Sequence, residues 1–161
     1  MGEDSAGAAV RRRPETEGRV KRTGGSEIMT RRFVFGALAY VLPTFPLGYV
    51  WHLVAFKGHY DALQVYRPDV VIPFGLVAII IQGAIWSYLY GRLFAGEPVR
   101  RGAVKFALVA APLAWTFMVL AVGAKHHMAS VPGFVAIETA FVIVHYLVVS
   151  PLMALAYAGK K

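Results

Sequence analysis

The chain has 161 residues, 57% hydrophobic and only 16% charged, with a mean hydropathy of +0.54. Soluble domains average about a quarter charged residues, so this composition excludes an ordinary water-soluble core. Cysteine is absent, which excludes disulfides and thiolate chemistry, and the net charge of +8 flanks apolar runs, which suits anionic lipid and argues against nucleic acid as a partner.

Residues 1–32 read as a solvated, disordered basic tail, rich in Gly, Ser, Glu and Arg and too poor in apolar side chains to fold alone. The run "RRRPETEGRVKR" is a candidate lipid or nucleic-acid patch, but a solvated tail that helps fix topology is the simpler reading. A secretory signal is not expected, because the next apolar run is too long for an h-region and lacks a small-residue cleavage site. Met29 opens "MTRRFVFG", a natural start, and Gly24-Gly25 fits a translated ribosome-binding site. An alternative reading therefore begins the protein at Met29.

A membrane-spanning helix needs about 20 apolar residues, and four stretches qualify: Phe33 to Phe56, Val70 to Tyr90, Ala103 to Gly123 and Phe134 to Ala158. None alternates in the manner of a barrel strand. Pro43, Pro46, Pro112 and Pro151 fall inside them, which lipid-buried helices tolerate; Pro73 sits near a helix start, where proline fits easily. The expected fold is all-α: an integral membrane four-helix bundle over 33–158, closed by a short basic end at 159–161.

Lysine and arginine set the orientation. Arg11, Arg12, Arg13, Arg19, Lys21, Arg22, Arg31 and Arg32 precede the first span. Arg92, Arg100, Arg101 and Lys105 lie around the loop after the second, and Lys160 and Lys161 end the chain. The opposite side holds only Lys57, Arg67 and Lys125. Both termini are therefore expected in the cytoplasm. Tyr40, Trp51, Tyr60, Trp86, Tyr88, Tyr90 and Tyr157 are expected mostly toward span ends, where amphipathic rings settle.

Ionisable groups at membrane depth are costly and mark candidate sites. His52 and Glu138 each lie about 6 Å inside the outer edge, and Gln82 and His145 each about 17 Å deep, from a rise of about 1.5 Å per residue. Each pair is placed to meet, giving a polar seam with an outer layer and a midplane layer. Glu138, Val142, His145 and Val149 share one helix face. On the second span Gly75, Ala78 or Ile79, Gln82 and Trp86 share a side, and small residues there suggest close approach to a partner. Ala103, Ala107, Ala110 or Ala111, and Ala114 show the same small-residue spacing on the third span. Thr116 is a further polar companion.

The seam has three candidate uses: interhelical hydrogen bonds that hold the bundle or its assembly, a proton or ion path using Glu138 and His145, and a metal or haem site. His59, His126 and His127 are weak metal candidates on the outer side, where histidine and carboxylate would suit zinc or copper. No His-x-x-x-His or His-Glu-x-x-His spacing occurs, Lys125 adjoins the His pair, and His52 and His145 differ in depth by about 10 Å, which disfavours bis-histidine haem. Phosphate-loop and dinucleotide signatures are missing, and none of the serines sits in a nucleophile elbow. No cofactor is expected, and the chain reads as non-enzymatic. Small multidrug carriers also have four spans and a membrane glutamate, but they are shorter and many lack this charge bias.

The segment "PLGYVWHLVAFKGHYDALQVYRPDVVIPFGLVAIIIQGAIWSYLYGRLF", succeeded by a short basic loop and two further spans, carries Trp51-His52, Lys57, Tyr60, the "IPFG" of Ile72 to Gly75, Gln82-Gly83 and Tyr88. Over about Arg32 to Ala158 it resembles small uncharacterised bacterial four-span membrane proteins of the domain-of-unknown-function type. That resemblance implies a bacterial inner membrane and carries over no catalytic residue. Partners are then expected to be the bilayer and either a second copy or another membrane protein.

Overall fold

The computed structural model describes the backbone of residues 16–158 and the side chains from residue 27 onward. All regular structure among the described residues is helical. Helix α1 covers Thr16–Val50 and continues through a π-helical turn, Trp51–Ala55; a short α2, Lys57–Leu63, comes next. Helix α3 is Ile72–Leu93. Helix α4, Val99–Trp115, runs through a second π turn, Thr116–Leu120, into α5, Ala121–Lys125, and α6 is Val131–Tyr157. Four of these units, Glu27–Ala55, Ile72–Leu93, Val99–Lys125 and Val131–Tyr157, are long and apolar enough to cross a membrane.

Helix α1 begins before Phe33, where the span was expected to start. Residues 1–15 of the expected disordered tail lie outside the described residues, but from Thr16 the backbone is helical. Extending a helix that the apolar span has already nucleated adds a hydrogen bond per residue without a second nucleation cost. Residues 159–161 also lie outside the described set.

The four long units are arranged in the order α3, α1, α6, α4. Helix α1 packs on α3 and α6, and α6 packs on α4. Helix α6 is the hub: Phe134, Glu138, Val142, His145, Val149 and Met153 all face inward and are buried. Its opposite side, with Ile143, Leu147 and Leu155, is exposed. Apolar surface of this extent is what a lipid-facing helix presents.

Both π turns begin within five residues after an internal proline, Pro46 in the first case and Pro112 in the second. Proline has no N–H to donate, and local π adjustment is one way a membrane helix re-satisfies the freed groups. Next to Pro43 the Thr44 hydroxyl donates back to the Tyr40 carbonyl at 2.6 Å, the i−4 bond that a helical threonine makes. Pro73 and Pro132 occupy first-turn positions, where no donor is lost.

One end of the molecule, the basic end, carries Arg31, Arg32, the 94–98 loop and Tyr157. Ser87 donates to the Phe33 carbonyl at 2.7 Å and Tyr157 donates to the Ser87 carbonyl at 2.6 Å, tying α1, α3 and α6 together. Glu97 binds Lys105 and Arg101, and the Lys105 ammonium first of all holds its carboxyl below the usual range. The other end, the histidine end, is covered by α2, whose Tyr60 and Leu63 are buried. The Ala129 N–H bonds the Leu63 carbonyl at 2.9 Å, so the 126–130 loop is fastened to α2.

The close approach of α1 and α3 depends on Gly83. A Cβ there would lie 2.7 Å from Val41 Cγ2 and 3.1 Å from the Ala37 carbonyl oxygen. Gly75, which the sequence suggested for such a contact, has nothing within 4 Å of a built Cβ and fronts a cavity. On α4 the small-residue spacing does meet a neighbour, with Ala110 fully buried and Ala103, Ala111 and Ala114 packed on the core. Gly83→Val is expected to lower stability by about 1–3 kcal/mol through overpacking, while Gly75→Val should change it by less than about 0.5 kcal/mol. Thermal unfolding of both variants in detergent checks this, and equal melting temperatures would contradict the packing described.

Candidate functional site

Two polar layers occur on the inner faces of α1 and α6, as the seam requires. In the layer nearer the histidine end, His52 Nε2 lies 3.2 Å from Glu138 Oε1. The Tyr60 hydroxyl donates to the same oxygen at 2.8 Å. His52 is the second residue of the first π turn, directly after the α-helical part of α1. Its Nδ1 is 2.8 Å from the Gly48 carbonyl oxygen.

A carbonyl only accepts, so Nδ1 carries a proton. Nε2 then faces Oε1 as one acceptor against another unless a single proton lies between them. Oε1 also receives the Tyr60 proton, so the two side chains converge on one carboxyl oxygen. Burial first, and then the Glu138 charge, push the Tyr60 phenol well above its ordinary range, so it remains a donor. The three residues form a clasp joining α1, α2 and α6. Tyr60 was not foreseen as a site residue; nothing in the sequence showed that α2 folds back over the span ends.

The midplane layer differs from expectation. Gln82 and His145 do not bond each other. His145 Nε2 is 2.8 Å from Thr44 Oγ1, and Gln82 accepts from the Tyr40 hydroxyl at 3.0 Å. Because Thr44 gives its own proton to the Tyr40 carbonyl, it accepts from His145, which fixes Nε2 as the protonated nitrogen. Tyr40, expected near a span end, is instead 2% exposed at mid-span. The Phe141 ring stands between the layers, edge-on to His52 at 4.4 Å and stacked on His145 at 5.7 Å between centroids. No hydrogen bond links one layer to the other among the described residues.

Both layers border one cavity of about 480 Å³ between α3 and α4. Toward the basic end Phe106 of α4 packs against Trp86 and Tyr90 of α3, with ring centroids 5.5 and 5.6 Å away. Beyond that contact the two helices part. Gly75, Ala78, Ile79 and Gln82 form one wall, Leu113, Ala114, Phe117 and Met118 the other, and Tyr40, Thr44, His52, Phe141 and His145 line the back. The α3 face that the sequence grouped together thus lines a cleft along Gly75, Ala78, Ile79 and Gln82 and meets α4 only through Trp86. A second cavity of about 360 Å³ opens at the histidine end, lined by His52, Tyr60, Asp61, Gln64, Tyr66 and Arg67 among others. His52 borders both.

Outside the seam, His59, His126 and His127 are exposed, and no group of three His, Asp or Glu residues placed to hold a metal ion occurs among the described residues. Lys57 pairs with Asp61 at 2.6 Å, and Arg67 with Asp69 at 3.1 Å. Thr116, the remaining polar candidate, donates to the Leu113 carbonyl at 2.8 Å and is exposed. Comparison with protein-family models, curated proteins and solved structures finds no match to this chain.

Glu138→Gln and His52→Ala should each destabilise the protein by about 1–3 kcal/mol, and the double variant by little more than either. Tyr60→Phe should cost about 1 kcal/mol. Additive losses in a double-mutant cycle by thermal unfolding would show that the clasp carries no coupling.

Proposed function

We propose that this chain is a non-enzymatic multi-pass protein of a bacterial inner membrane, with both ends in the cytoplasm, whose polar seam serves helix packing and assembly with a second copy or another membrane protein. The observation that carries this reading is the clasp. Glu138, 4% exposed, has its Oε1 closed off by two donors from two other elements. A carboxylate so engaged holds helices together at a depth where a free charge would be costly.

The charge distribution supports the orientation. At the histidine end Lys57 and Arg67 are matched by Asp61 and Asp69, whereas at the basic end Glu97 faces both Arg101 and Lys105, with Arg31, Arg32, Arg92 and Arg100 in addition. Retention of Lys and Arg in the cytoplasm then puts the histidine end outside. The native chain has no cysteine, so single cysteines report cleanly. Ala129→Cys should react with a membrane-impermeant maleimide added to intact cells, and Ala95→Cys only after permeabilisation. The reverse pattern would refute this orientation, and both sites labelled in part would refute a fixed one.

A proton-coupled carrier is the second reading, favoured by one observation: His52 borders both the cavity at the histidine end and the intramembrane cleft. Proteoliposomes carrying a pH gradient and an internal pH dye separate the two readings. The structural reading expects the same proton leak from the native protein and from Glu138→Gln. A leak that Glu138→Gln abolishes, with thermal stability retained by the variant, would replace it with the carrier.

A further inference from the structure

The cleft between α3 and α4 contains more hydrogen-bonding capacity than helix packing uses. Gln82 is exposed at mid-span, and Tyr40 engages only one end of its amide. Whichever way that amide is turned, its other end has no partner among the described residues. His145 has its Nε2–H committed to Thr44, which leaves Nδ1 as an acceptor, and its ring lines the cleft. In hydrocarbon such groups have no water to turn to.

The shape narrows the occupant. The contact of Phe106 with Trp86 and Tyr90 closes the cleft toward the basic end, so it runs along only part of the span. A transmembrane helix is about 10–12 Å wide and crosses the whole bilayer; it would not seat in a groove that stops short. A volume of about 480 Å³ falls within the range of small-ligand cavities, about 300–1,000 Å³. No lysine or arginine lines it and the His52 ring is engaged by Gly48 and Glu138, so an anionic head would lack a free counter-charge; no carboxylate lines it either, so a cationic head would lack one too. The walls are otherwise apolar.

We propose that this cleft binds a neutral lipid-phase alcohol or phenol, its hydroxyl at the Gln82–His145 level and its apolar body between α3 and α4. A hydroxyl is the smallest neutral group that serves both residues, because it donates to His145 Nδ1 and accepts from the Gln82 amide. A ketone or ester only accepts and leaves Nδ1 unmet. The site needs no chemistry on the ligand and works equally for a packing protein or a carrier. It rests only on the membrane placement of the four helices.

The test uses the full chain in lipid nanodiscs and three diazirine photoprobes of equal length: a long-chain primary alcohol, its methyl ether and the parent hydrocarbon. Labelled residues are mapped by mass spectrometry. The alcohol is expected to concentrate on 75–86 and 113–118, about five-fold above the ether, which is the weight of one hydrogen bond. Gln82→Leu, which removes a bond that the ether oxygen also accepts, should lower labelling by alcohol and ether alike. Ala78→Phe, which fills the cleft and touches no polar group, should exclude all three probes from it and covers the case where Gln82→Leu fails to fold. Equal labelling by alcohol and ether, or labelling indifferent to Ala78→Phe, would overturn the site. The hydrocarbon reports separately on the placement: it should label Leu147 and Leu155 on the outer side of α6, and failure there would remove the membrane reading itself.

Discussion

In hydrocarbon a polar side chain can be satisfied only by protein or by something dissolved beside it, and this constraint organises the seam. Glu138 on α6 is buried, and His52 from α1 and Tyr60 from α2 close on it. The same demand, one layer deeper, sets His145 against Thr44 and Gln82 against Tyr40. Each of these contacts crosses from one element to another. Helix packing in lipid has little hydrophobic drive of its own, so close fit at Gly83 and these few polar contacts determine which helices meet.

The arrangement that satisfies the polar groups does not close the bundle. Helices α1 and α6 hold the seam and take α3 and α4 as flanks, one on each side. The flanks meet through aromatic rings at the basic end and part beyond them. Where they part, the groups left over from the midplane layer face a shared space. Phe141 divides that space from within, separating the clasp from the midplane pair while touching both histidines. The polar layers are therefore neighbours without being a continuous wire.

Much of this was legible in the sequence. Four long apolar stretches, with proline confined to tolerated positions, gave the helices and their number. Equal depth from opposite directions paired His52 with Glu138, because depth in a straight helix is a simple count. Seven-residue spacing put Glu138 and His145 on one buried face. What the sequence could not express was lateral order. Depth alone gave Gln82 and His145 the same level, but α1 packs on both α3 and α6, so each bonds an α1 side chain, Tyr40 or Thr44, and both border one cleft. Gly75 and Gly83 look alike in a string; only the rotation of α3 decides that one meets α1 and the other faces a cleft. Tyr60 depended on α2 folding back, a tertiary event with no local signal.

The π turn at Trp51–Ala55 has an evolutionary reading. Such a turn holds one residue more than the α-helical count, and His52 lies within it. A homologue one residue shorter between Gly48 and His52 would regain a regular helix and bring a different side chain to the carboxylate. Among descendants of a common ancestor, the length of that short segment would therefore separate chains that keep a histidine–glutamate pair from those that have lost it, even where both residues survive in the alignment.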